Sequence, residues 1–328
     1  MRAWRVHELG EPEDVMRLDE VPSPEPGPGQ VAIDVAAASL NFPDVLLCRG
    51  GYQVKPELPF TVGSELAGTI ASLGEGVTGF TVGQRVLAAP AVGAGGLVER
   101  TIAPASTTFA IPDTMPMPAA AALHITYQTG HVSLHRRAAI KEGETLLVHA
   151  GAGGVGSAAI QLGLAAGARV FATAGGPEKV EVCRKLGAEI AIDYKADDFV
   201  AIVKEATGGR GADVIYDPVG GDTFDRSTKC IAFEGRILVI GFTSGRFPEV
   251  KANHVLIKNY SVVGVHWGLY HRYEPTLPAQ IHDDLMRLYS EGRIDPLISR
   301  VAPFAEAPAA LAALGSRGTW GKVVVEVG

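Results

Sequence analysis

The feature that most constrains this chain is the run Gly151-Ala152-Gly153-Gly154-Val155-Gly156. It follows the apolar stretch Leu146-Leu147-Val148 and opens a segment of helical texture, Ser157 to Ala166. In that strand–turn–helix setting, each glycine of a GxGxxG has a task. One allows the tight turn, one lets backbone approach a pyrophosphate, and one permits close helix-on-strand packing. The helix start then offers unpaired N–H groups and a partial positive charge to phosphate. A glycine-rich turn that merely packs tightly is the alternative.

The surroundings suit a nucleotide fold. Thr145–His149, Arg169–Ala174, Ile190–Asp193, Asp213–Tyr216, Arg236–Ile240 and Ser261–Val265 read as six strands, with helical segments between them. Parallel neighbours need such crossovers, so the expectation is a doubly wound α/β domain with a six-stranded parallel sheet. Before residue 119 the texture is β-rich. Val31, Ile33 and Val35 alternate with Ala32, Asp34 and Ala36, and short runs at Thr69–Leu73 and Arg85–Ala89 sit among Gly74, Gly76, Gly79 and Gly83. A compact barrel-like domain is expected there. After the sixth strand come helices near Pro278–Glu291 and Ala305–Leu314 and a strand at Lys322–Val327, a tail expected to fold back onto the N-terminal domain. The resulting division is 1–125 with 266–328, and 126–265.

Composition closes off other classes. The formal charge of −7 leaves no electrostatic footprint for nucleic acid. Cys48, Cys183 and Cys230 form no CxxC pair, which argues against a disulfide framework and fits a reducing compartment. The charge-free stretch Leu146 to Ala168 is long enough to span a bilayer, but its glycines divide it into strand, turn and helix. A cytoplasmic protein is the expectation.

NAD sites usually close the second strand with Asp or Glu for the ribose 2′-hydroxyl. Here the strand ends Phe171-Ala172-Thr173-Ala174-Gly175-Gly176, without a carboxylate, and Glu178-Lys179 follow. Omitting the acid removes repulsion against a 2′-phosphate, and a nearby cation can pair with it. NADPH is therefore favoured, with Lys179 as the candidate cation.

Further motifs extend over nearly the whole chain: Asn41-Phe42-Pro43-Asp44, Arg49-Gly50-Gly51-Tyr52, Gly63-Ser64-Glu65-Leu66-Ala67-Gly68, Val82-Gly83-Gln84-Arg85-Val86, Tyr216-Asp217-Pro218-Val219-Gly220 and Gly321-Lys322-Val323-Val324. With the nucleotide turn, they resemble the medium-chain dehydrogenase/reductase superfamily, in its zinc-free NADPH:quinone oxidoreductase branch that includes ζ-crystallin. The resemblance implies a GroES-like catalytic domain and a Rossmann domain with the active site in the cleft between them, the C-terminal tail completing the former. It implies homodimers in which the last Rossmann strand, here Ser261–Val265, pairs across the two-fold. It also places Lys179, Tyr194 and Arg317 on the 2′-phosphate, and Asn41, Tyr52 and Thr126 around the nicotinamide. Thr173 near the second strand's end, and Gly241-Phe242 and His266-Trp267 at the ends of the fifth and sixth strands, complete the expected cofactor set with Gly151, Gly153, Gly154, Val155 and Gly156.

Zinc-dependent relatives would have Cys near position 41 and Gly-His-Glu near 63–65, where this chain has Asn41 and Gly63-Ser64-Glu65. His124, His131 and His135 form the other conceivable cluster, but no carboxylate or cysteine joins them nearby in sequence, so no metal site is expected. A ketone reduced to an alkoxide relies on a Lewis acid. Without one, the acceptor must already be electrophilic, as quinones and conjugated enones or enoyl thioesters are. Tyr52 and Asn41 are the candidate hydrogen-bond donors to the developing oxyanion. The readings carried forward are a quinone reductase, an enone or enoyl-thioester reductase, and a crystallin-like NADPH-binding protein with little turnover. A zinc alcohol dehydrogenase is the remaining option, one that stoichiometric metal would revive.

Overall fold

The computed structural model describes residues 1–316 and 318–328. They divide into one unit of Met1–Ile125 with Pro296–Gly328 and a second of Thr126–Asp295.

In chain order the strands before residue 126 are β1 (Arg2–Val6), β2 (Met16–Glu20), β3 (Gln30–Ser39), β4 (Phe60–Thr61), β5 (Glu65–Leu73), β6 (Arg85–Ala88), β7 (Arg100–Pro104) and β8 (Thr108–Ala110). The second unit holds β9 (Thr145–Val148), β10 (Arg169–Ala174), β11 (Ile190–Asp193), β12 (Ala212–Asp217), β13 (Ile231–Val239) and β14 (Ser261–Gly264). The chain then returns to the first unit with β15 (Ile298–Pro303) and β16 (Lys322–Glu326).

The first unit is built on a sheet ordered β15-β16-β3-β5-β6-β8, with β7 also paired to β3, beside a smaller sheet β2-β1-β4. The strand β3 has antiparallel partners along both edges: β5 on one, β7 and β16 on the other. This explains why Ala32 and Ala38 are as buried as Val31 and Ile33, where sequence alternation alone predicts a half-buried strand. Pairing of β16 with β3 sets Val324 opposite Ser39, bringing Lys322 alongside the chain that leaves β3. Leu40 donates its N–H to the Val323 carbonyl there, at 2.9 Å.

The second unit has the expected parallel sheet, ordered β11-β10-β9-β12-β13-β14. Leu147, Phe171, Ile215 and Ile237 from four adjacent strands pack with Phe199, Val203 and Phe224 from the crossover helices in one apolar cluster. The charge-free stretch from Leu146 becomes a strand, a turn and the helix Gly154–Ala165. No helix among the described residues is long and apolar enough to cross a membrane.

One boundary differs from the sequence expectation. Residues 266–295 lie with the nucleotide unit, and only Pro296–Gly328 with the N-terminal one. The helix Leu277–Ser290 buries Ile281, Leu285 and Leu288, and Pro278 accepts a hydrogen bond from Gln128 Nε2 at 3.2 Å. Gln161 donates to the Asp295 carbonyl and accepts from its N–H, at 2.8 and 2.6 Å, anchoring the end of that segment to the helix after the glycine turn.

Candidate functional site

In the first unit a charged cluster is buried around Asn41. The chain leaves β3 at Ser39, and Asn41 begins the helix Phe42–Cys48, whose Pro43 suits the first turn. Asp44 accepts from the Asn41 N–H at 2.8 Å, the Ser64 hydroxyl at 2.6 Å and the Gly63 N–H at 3.2 Å. Full burial pushes the Asp44 carboxyl upward against those three donors.

Lys322 enters from β16. Its ammonium donates to Asn41 Oδ1 at 2.6 Å, Glu65 Oε1 at 2.8 Å and the Leu40 carbonyl at 3.0 Å, which uses all three protons. Asn41 Nδ2 donates to Glu65 Oε1 at 2.9 Å and the Ser39 carbonyl at 3.3 Å, and Glu65 Oε2 accepts from the Ile125 N–H at 2.8 Å. Both amide protons of Asn41 are therefore engaged within the protein and not directed to an oxyanion. Tyr52 differs: it is half-buried, and burial together with the Asp44 charge holds its phenol above the ordinary range. It stays protonated, and so a donor, at neutral pH.

In the second unit the glycine turn is a cradle that side chains would fill. A Cβ at Gly156 would stand 2.2 Å from the Ala150 carbonyl, and one at Gly151 would meet Ala172 Cβ and Cys183 Sγ at 2.9 Å. Gly151 donates to the Thr173 carbonyl at 2.9 Å and Gly153 to the Ala150 carbonyl at 2.8 Å. Gly153 brings no side chain to cap the helix that Gly154, Val155 and Gly156 open. The first-turn N–H groups thus lack a side-chain cap, which suits a dinucleotide pyrophosphate at this helix start.

Thr173 is placed differently from a ligand-facing residue. Ser227 Oγ donates to the Thr223 carbonyl at 2.7 Å, so it accepts from His149 Nε2–H at 2.8 Å. That leaves His149 Nδ1 to accept the Thr173 hydroxyl proton at 2.9 Å. The Thr173 side chain points into the core and braces β10 against β9. His149 is held neutral, its pKa lowered to about 3 by burial and then by the Arg226 charge.

The other expected residues are distributed as follows. Tyr194 is 50% exposed just beyond β11, its hydroxyl close over Gly175 at the end of β10. Lys179 lies in the first turn of the helix Pro177–Lys185, and its ammonium is held below the ordinary range by burial and then by Lys195. Gly241 and Phe242 follow β13, with Phe242 edge-on to Phe247 at 4.8 Å. His266 and Trp267 follow β14, and the indole N–H donates to Gln128 Oε1 at 3.0 Å. Thr126 is buried in the helix His124–His131. Arg317 lies outside the described residues.

The His131 and His135 rings lie tilted to one another with centroids 4.5 Å apart, and Asp284 is 3.5 Å from His131. Among the described residues no three such side chains converge on a metal position. All three cysteines are buried, and burial pushes each thiol up to about 12. Lys322 and Glu65 are not among the site residues the sequence suggests. The two lie 257 residues apart, so no local spacing signals them.

Comparison with known proteins agrees with this geometry. Residues 27–113 match the alcohol dehydrogenase GroES-like domain family, and residues 154–281 match the family described as zinc-binding dehydrogenase. The quinone oxidoreductase-like protein 2 homolog of Nematostella vectensis is 37% identical over 326 residues, covering 99% of this chain and 88% of that one. Escherichia coli quinone oxidoreductase, solved in complex with NADPH, superposes with a TM-score of 0.91 at 30% identity over the full length of both chains. A mycobacterial protein solved with NADPH gives the same TM-score at 34% identity, again over both full chains. The chain belongs to the medium-chain dehydrogenase/reductase superfamily, in its zinc-free quinone oxidoreductase branch, and is an oxidoreductase.

Proposed function

We propose that this oxidoreductase uses NADPH to reduce quinones by two-electron transfer. When bound, NADPH supplies a hydride, and the acceptor takes that hydride and a proton to become a hydroquinone. The observation that carries the reading is the Lys322 ammonium 2.6 Å from Asn41 Oδ1, at the position where zinc-dependent relatives have a cysteine. Asn41 thus presents a carboxamide hydrogen-bonded to Lys322, Glu65 and Ser39 in place of a metal-binding thiolate, which favours acceptors that delocalise their own charge.

The residues of the chain divide the work. Gly151, Gly153 and Gly156 admit the pyrophosphate to the start of the helix Gly154–Ala165, while Lys179, Tyr194 and Arg317 are assigned to the 2′-phosphate. Asn41, Tyr52 and Thr126 are assigned to the nicotinamide. Tyr52 keeps its proton and donates to the acceptor oxygen as negative charge develops, and solvent supplies the final proton. NADPH bound by E. coli quinone oxidoreductase and by the mycobacterial relative supports the cofactor assignment.

The test is NADPH oxidation with matched quinones, conjugated enones and enoyl thioesters, with each product identified. Hydroquinone as the favoured product supports the reading. Preferential saturation of a carbon–carbon double bond makes the protein an enone reductase instead. Tight NADPH binding with no turnover on any acceptor makes it a crystallin-like binding protein.

The same reading includes a homodimer. Among the described residues, β14 is the last strand of its sheet, paired with β13, and its outer edge can take the same strand of a second copy.

A further inference from the structure

We propose that Lys195 is a further cationic contact for the 2′-phosphate of NADPH, acting with Lys179 and Tyr194 over the Gly175 turn. This rests on the NADPH assignment above and adds a residue to it.

The sheet brings these groups together. Parallel pairing sets Ala174 of β10 opposite Asp193 of β11, and Tyr194 continues the ladder by donating its N–H to the Ala174 carbonyl at 3.1 Å. Residues 194 and 195 therefore run beside Gly175 and Gly176, where β10 ends. Gly175 has no side chain, and a Cβ built there would lie 2.7 Å from the Tyr194 hydroxyl and 3.2 Å from Lys195 Cε. Any other residue would displace the phenol and the lysine stem that cover this turn.

Asp193 fixes the arrangement from the inside. Its Oδ1 accepts the Gly176 N–H at 2.9 Å and the Lys195 N–H at 3.0 Å, tying the Lys195 backbone to the turn. The carboxylate that stands at this corner is thus engaged with main chain, and it comes from the third strand rather than the second. Lys179 lies in the first turn of the helix that follows Gly176, its ammonium held below the ordinary range by burial and then by the Lys195 charge, with Glu178 opposing. Two ammonium groups held within each other's field repel, and a dianion between them converts that repulsion into attraction. A phosphate monoester has the charge and the acceptor oxygens for both lysines and the phenol. A 2′-hydroxyl carries no charge to offset theirs.

The experiment is direct titration of NADPH and NADH by nucleotide fluorescence, without acceptor, for the wild type, Lys195→Ala and Lys195→Arg. Lys195 is exposed, so the fold tolerates both changes. Lys195→Ala should weaken NADPH by about 5- to 10-fold and NADH by less than about twofold, the scale of one partly solvated charge-assisted contact. Lys195→Arg should keep most of the preference. Equal weakening of both nucleotides, or no change in either, overturns the proposal. Wild-type protein that binds the two equally would overturn the NADPH assignment along with it. A wild-type preference fully retained in Lys195→Ala would overturn the role of Lys195 alone.

Discussion

Lys322 Nζ lies 2.8 Å from Glu65 Oε1, a charge pair formed between β16 and the first residue of β5 with both side chains at most 4% exposed. The same ammonium fixes the amide of Asn41 through its Oδ1. A buried pair of this kind is costly to break from one side, because the remaining charge has no partner. Lys322→Met should lower the unfolding free energy by about 3–5 kcal/mol, measured by urea denaturation. The double variant Lys322→Met/Glu65→Gln should lose clearly less than the sum of the two single changes. Additive losses would mean that the pair is not coupled.

Tyr52 is the side-chain donor assigned to the acceptor oxygen. Tyr52→Phe should reduce kcat with a quinone by roughly 10- to 100-fold, the scale of a lost oxyanion donor partly open to water, while NADPH affinity stays nearly constant. An unchanged kcat would make Tyr52 a packing residue.

His149 gives the nucleotide unit a defined pH dependence. Its folded pKa of about 3 lies below the unfolded value near 6.5, so unfolding takes up a proton between those limits. The stability it protects is complete above about pH 6.5 and declines as pH falls toward 3, by up to about 1.4 kcal/mol per pH unit. His131, lowered to about 4 by burial and then by His135, acts in the same direction. In His149→Gln the plot of unfolding free energy against pH from 6.5 to 4.5 should flatten by about that amount. An identical slope in the variant would mean that His149 is protonated in the folded protein.

The edge strand β14 predicts a dimer in solution. Sedimentation at micromolar concentration should give twice the chain mass. Val265 donates its N–H to β13, so Val262, offset by an odd number of residues, faces the outer edge, and Val262→Pro should shift the protein toward monomer. A wild-type monomer would contradict the pairing.

The nucleotide unit was legible in the sequence because its requirements are local. The glycine turn needs small residues at fixed places, and each strand of the parallel sheet is a short apolar run. What was not legible depended on distant partners. The strand Ile298–Pro303 carries exposed Arg300 and Val301 on a sheet edge and shows no clean alternation, so it escaped notice. The helix Leu277–Ser290 has an apolar face that could pack on either unit, and the bonds of Gln128 and Gln161 decide which. Asn41 was recognised as a site residue, but the direction of its amide follows from Lys322, almost 300 residues away. Thr173 stands near the strand end where a ligand contact is expected, yet its partner His149 turns the hydroxyl inward.

The most direct test of the central claim is the rate of NADPH oxidation by chelator-treated protein with a quinone and with a saturated ketone of similar size. The account predicts quinone turnover unchanged by the chelator and negligible reduction of the ketone. Loss of quinone turnover that added zinc restores, or ketone reduction at a comparable rate, would contradict it.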